Sequence, residues 1–120
     1  MKLSDREWTV LEALWNMGDA ELGELVEILA PETGWNRNTV LTYLTRMEAK
    51  GLVAIDKENS PHLYRAALDR EECRAQERRS FLDRVYRGSA GDLITAFLKE
   101  EPISTEERDR LRQLLDDMEV

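Results

Sequence analysis

Apolar residues recur at helical spacing over the first third of the chain. Ser4-Asp5-Arg6-Glu7 reads as a capping box, in which the Ser4 hydroxyl meets the third helical amide and Glu7 reaches back to the cap. Trp8, Val10, Leu11, Leu14 and Trp15 then form an apolar stripe on a helix that stops near Met17-Gly18. Leu22, Leu25, Val26 and Leu29 mark a short second helix, ended by Ala30-Pro31 and Thr33-Gly34. Asn36 caps a third helix, and Gly51 is its left-handed residue after the C-cap. The period then shifts from 3.6 toward 2. Residues 52–57 and 62–68 read as strands around a Glu58-Asn59-Ser60-Pro61 turn. Three helices followed by a hairpin predict a winged helix-turn-helix, mainly α with a small β-hairpin wing.

The third helix is the most informative segment. On a wheel advancing about 100° per residue, Val40, Leu44 and Met47 cluster on one side with Tyr43 at its flank. Asn38, Thr39, Thr42, Thr45 and Arg46 fall on the other side, and no carboxylate joins them. Thr and Asn reach base edges and methyl groups, Arg reaches guanine or phosphate, and a helix N-terminus favours a phosphate. Such a face suits a DNA major groove. A merely solvated face would mix Glu with Lys. With Arg37 at the helix start and Lys57, Asn59, Ser60, His62 and Arg65 in the wing, these residues form the expected DNA-binding set.

The remaining third is helical in pattern. Asp69-Arg70-Glu71-Glu72 opens a largely charged helix to about Arg87, where only Phe81, Leu82, Val85 and Tyr86 make a stripe. A short helix carries Leu93, Ile94, Phe97 and Leu98 up to the Glu101-Pro102 break. Ser104-Thr105-Glu106-Glu107 then caps a last helix with Leu111, Leu114, Leu115 and Met118 at i, i+3, i+4, i+7. Stripes this narrow on about fifty residues do not close a core of their own. The expectation is a DNA-binding domain at 1–68 and a helical dimerisation domain at 69–120, whose apolar residues pack on a second copy in preference to folding back on their own winged helix. A two-fold dimer also presents two recognition helices to an inverted repeat.

Taken as a whole, the charge opposes DNA binding. The net charge is −8 over 120 residues. It is unevenly spread: residues 1–34 carry a net of −6, residues 36–65 a net of +2, and residues 68–120 a net of −4. The locally basic region is therefore the third helix and the wing. An acidic whole weakens non-specific DNA binding and leaves affinity to a dimer and to directed contacts.

Little in the chain supports catalysis. It has one cysteine, Cys73, and one histidine, His62. That excludes an internal disulfide framework, and a His–Cys pair is not a metal site. There is no Gly-rich phosphate loop and no nucleophile with a choice of bases, so neither an enzyme nor a cofactor is expected. No apolar run approaches membrane-spanning length and no signal peptide precedes Leu3, so a cytoplasmic protein without membrane attachment is expected. The rival to a DNA binder is a winged-helix protein–protein adaptor working through its acidic surface.

The ordered set of motifs resembles the penicillinase-repressor family of bacterial transcription repressors. The resemblance rests on Leu3 to Trp8 with Leu14-Trp15, on Trp35 to Thr42 with Leu44-Thr45-Arg46, and on Lys50 to Val53 with Tyr64. It continues through Phe81 to Gly88, Leu93 to Leu98 and the Ser104 to Leu115 helix. It implies a homodimeric repressor that occludes a promoter at a short palindromic double-stranded DNA operator. It assigns base reading to Asn38, Thr39 and Thr42, and backbone contacts to Arg46 and the wing. Copper-responsive members end in a cysteine cluster, whereas this chain ends Asp116-Asp117-Met118-Glu119-Val120. β-Lactam-responsive members are released by a sensor protease that cuts an Asn-Phe bond in the fifth helix. The pair standing there in this chain is Ala96-Phe97.

Overall fold

The computed structural model describes residues 2–119. Its elements are α1 (Asp5–Met17), β1 (Ala20–Glu21), α2 (Leu22–Thr33), α3 (Arg37–Ala49), β2 (Val53–Asp56), β3 (Leu63–Ala66), α4 (Arg70–Tyr86), α5 (Ala90–Glu100) and α6 (Thr105–Asp117). The chain divides into two compact units, residues 1–77 and 78–120.

In the first unit the predicted caps are formed. Glu7 N–H donates to Ser4 Oγ at 3.2 Å, and Ser4 N–H donates to Glu7 Oε1 at 2.9 Å. At the end of α3, Gly51 adopts φ 80°, its N–H reaches the Glu48 carbonyl at 3.0 Å, and Leu52 N–H reaches Met47 at 2.9 Å. These two bonds make the Schellman closure, and the left-handed backbone it needs is why glycine stands there. Leu52 and Val53 are thereby turned straight from the helix into the core.

Val10, Leu11 and Leu14 of α1, Leu25 and Leu29 of α2, and Val40, Leu44 and Met47 of α3 are buried with Leu52, Val53 and Tyr64. The predicted hairpin pairs antiparallel, Val53 with Ala66 and Ile55 with Tyr64. The structure adds β1, which the pattern did not predict: Ala20 pairs with Tyr64 and Glu21 with Leu63, giving the order β1-β3-β2. Two residues are too few to show alternation, so only pairing with β3 reveals this strand. α2 also runs past Ala30 to Thr33 with Pro31 inside it. Gly34, at φ 68°, ends it.

The unit boundary falls within α4, not at its start. Trp15 Nε1 donates to the Leu68 carbonyl at 2.9 Å, and Cys73 is buried in the core. The Arg70 guanidinium lies 5.5 Å from the Trp15 ring centroid, donates to Asn16 Oδ1 at 2.6 Å and pairs with Glu12 at 3.3 Å. Trp8 and Trp15 lie edge to face at 5.9 Å and pack, partly buried, against the core. The base of α4 thus belongs to the winged helix. Burial, reinforced by Asp69 and Glu72, pushes the Cys73 thiol above its ordinary pKa, so it behaves as a small apolar core residue.

In the second unit α6 carries its predicted capping box, with Glu107 N–H donating to Ser104 Oγ at 3.0 Å. Phe81 and Tyr86 rings lie 6.0 Å apart. No residue of α5 or α6 is buried. Phe81, Leu82, Tyr86, Leu93 and Leu111 are half-covered, while Val85, Ile94, Phe97, Leu98, Leu114, Leu115 and Met118 are exposed, as is Ile103. Among the described residues, no helix is long and apolar enough to cross a membrane.

Candidate nucleic-acid interface

α3 begins on an N-cap in which Asn36 Oδ1 accepts from Thr39 N–H at 2.9 Å. No acidic residue occupies its first turn, so the positive end of the helix dipole stays uncompensated and open to an anion. Val40, Leu44 and Met47 are sealed in the core, which fixes the helix rotation about its axis. The opposite face is left outside: Arg37, Asn38, Thr42, Thr45 and Arg46 are exposed and Thr39 is half-exposed.

Asn38, Thr39, Thr42 and Arg46 line one shallow depression together with Asn36 and Tyr43. Thr42 Oγ1 donates to the Asn38 carbonyl at 2.8 Å, which uses its proton and leaves the hydroxyl oxygen as an acceptor. Arg37 and Arg46 make no ion pair among the described residues, so both guanidinium groups are available. Glu48 stands off this face and pairs with Lys57 at 3.5 Å.

The wing residues are not equivalent. Lys57, Asn59, Ser60 and His62 are exposed in the β2–β3 connection. Asn59 Nδ2 is turned back onto Asp56 Oδ2 at 2.6 Å, and Glu58 N–H meets Asp56 Oδ1 at 3.1 Å. The Asn59 amide therefore shapes the turn. Arg65 points to the outer face of the sheet, in a depression shared with Asp19 and Asp56, away from the α3 depression. Those two carboxylates weaken the attraction it offers an anion.

Two residues of this surface escaped the sequence reading. Tyr43 sits at the flank of the apolar stripe, but its ring stacks on Trp35 (centroids 4.6 Å, planes 20° apart) and its hydroxyl faces outward. Arg6 of α1 donates through Nη1 to that hydroxyl at 3.0 Å. A pair so far apart in the chain has no local signature.

The sequence family described as penicillinase repressor matches residues 3–117. The penicillinase repressor of Bacillus licheniformis is 28% identical over 116 residues, covering 97% of this chain and 91% of that protein. The methicillin resistance regulatory protein MecI of Staphylococcus aureus (strain N315) is 25% identical over 114 residues, covering 95% and 93% respectively. Among solved structures, monomeric B. licheniformis BlaI in complex with the blaP half-operator superposes with a TM-score of 0.53 at 25% identity, covering 60% of this chain and 88% of that one. A MarR family protein from Bacillus stearothermophilus shares the fold over 97% of this chain and 72% of that one (TM-score 0.51, 22% identity). With a winged helix whose third helix turns a carboxylate-free face outward, and a match spanning nearly its whole length, the chain belongs to the penicillinase repressor family of DNA-binding transcriptional repressors.

Proposed function

We propose that the protein represses transcription as a homodimer, laying the α3 helices of its two copies into successive major grooves of a palindromic operator and so blocking a promoter. The outward face of α3 carries this reading: an acidic protein leaves free of carboxylate the one surface that groove binding requires. Asn38, Thr39 and Thr42 read base edges, while Arg37, Thr45, Arg46 and the wing residues Lys57, Ser60 and His62 meet the backbone. Asn59 and Arg65 contribute less directly, the first by shaping the wing turn and the second from the outer face of the central strand.

Dimerisation is supported by the second unit, where Phe97, Leu114, Leu115 and Met118 are each more than half exposed. Large apolar side chains left exposed on both α5 and α6 support burial against a second copy. Release follows from the same design. A sensor protease cutting Ala96-Phe97 would divide the α5 stripe between two fragments and forfeit burial worth about 25 cal/mol per Å² of apolar area.

A footprint on the DNA upstream of the protein's own gene tests the reading. A protected segment with two-fold symmetry is expected, with binding that weakens steeply as salt displaces the released counterions. Salt-insensitive binding, or no protection at any salt, would instead favour a protein–protein adaptor.

A further inference from the structure

Arg6 and Tyr43 lie outside the set of residues that face bases, yet they are built into the same surface. Tyr43 lines the depression that holds Thr39 and Arg46, each one helical turn away. Its ring is clamped on Trp35, so the hydroxyl has a fixed position. Arg6 donates to that hydroxyl, and a guanidinium carries donors only. The phenol oxygen is therefore the acceptor in this bond, and its own O–H proton must point elsewhere. Among the described residues no acceptor takes that proton, and Arg6 forms no ion pair. Glu7, the adjacent carboxylate, is turned away onto Lys50 and Ser4. Asp5 is the remaining acidic neighbour in the first turn of α1, and it is exposed.

We propose that Arg6 and Tyr43 form a phosphate-binding pair that extends the DNA interface from α3 onto α1, with Arg6 aiming the phenol proton of Tyr43 outward. The assignment rests on α3 being the groove helix. A phosphate oxygen only accepts hydrogen bonds, and here it meets an O–H and the remaining guanidinium N–H groups side by side. In a chain of net charge −8, a cation placed at the rim of the groove helix offsets repulsion where the backbone must approach. The contact is blind to sequence, so it strengthens operator and unrelated DNA alike.

The test uses the full chain, a duplex from upstream of its own gene and a scrambled duplex of equal length, titrated by fluorescence anisotropy over a range of salt. Arg6→Gln is expected to weaken both duplexes by about three- to tenfold and to reduce the salt slope by about one. Tyr43→Phe keeps the ring stack, and is expected to cost about two- to fivefold with little change in slope. The double variant should lose less than the product of the two, because the phenol proton depends on Arg6 for its direction. Arg6→Lys should keep the slope but lose the coupling to Tyr43, an outcome that no loss of fold reproduces. If Arg6→Gln leaves affinity and slope unchanged while Arg46→Ala lowers both, the pair does not touch DNA and the α3 interface stands. If Arg6→Lys lowers the slope as far as Arg6→Gln, the effect is structural and the pair is excluded. If Arg46→Ala and Thr42→Ala are also without effect, the reading of α3 itself fails and takes this pair with it.

Discussion

Lys50 Nζ stands 2.9 Å from Glu7 Oε2, tying the first turn of α1 to the C-cap of α3. Glu7 is buried while Lys50 remains more than half exposed. Burial opposes the Glu7 charge, but the Ser4 amide and hydroxyl and the Lys50 ammonium together outweigh it and hold the carboxyl below its ordinary pKa. One carboxylate thus closes the α1 capping box and anchors the C-terminal end of α3. Because its folded pKa is depressed, its contribution is complete above the ordinary value of 4.5 and is lost as pH falls through the lower folded value. Glu7→Gln should destabilise the protein by about 1–2 kcal/mol near neutrality, from a weakened cap and a lost charged hydrogen bond. Denaturant melts as a function of pH check this: the gap between wild type and variant should close as pH falls below 4.5. A gap constant down to strong acid would refute the charge argument.

Specificity is expected to reside in α3. Asn38→Ala and Thr42→Ala should each cost about 1–3 kcal/mol on operator and much less on scrambled DNA. Arg46→Ala should weaken both duplexes alike and flatten the salt dependence. Paired titrations distinguish these behaviours, and unchanged operator affinity for Thr42→Ala would remove it from the base-reading set.

Truncation at the unit boundary separates binding from assembly. Residues 1–77 should fold as a monomer that binds operator weakly, each half-site carrying only part of the binding free energy. Residues 1–68 should melt lower, because they lack Arg70 over Trp15 and Cys73 in the core. Sedimentation and thermal denaturation of the two fragments beside the full chain report on both. A full chain that sediments as a monomer at micromolar concentration would contradict the dimer.

Proteolytic release is expected to be inefficient. Ala96 is half-covered within α5 and offers no amide side chain beside Phe97. A β-lactam-sensing protease should therefore cut the native chain poorly and Ala96→Asn better. Co-expression followed by mass spectrometry of the fragments decides it. Efficient cleavage after the native Ala96 would show that this side chain is irrelevant.

The helices and their caps were legible from local sequence, since the Ser4 and Ser104 boxes, the Asn36 cap and the Gly51 closure each depend on residues within one turn. So was the outward face of α3, because a helix that buries Val40, Leu44 and Met47 has no freedom in what it turns to solvent. The long-range pairings were not. β1 exists only because Ala20 meets Tyr64, and the base of α4 joins the winged helix only because Trp15 and Cys73 need covering. Asn59 and Arg65 looked equivalent to Lys57 until the turn claimed one and Asp19 and Asp56 surrounded the other. Periodicity reports which side of an element is apolar, but not which distant group will stand against it. For that reason sequence alone disclosed the outward face of α3, and only the packing of α1 against α3 brought Arg6 to Tyr43.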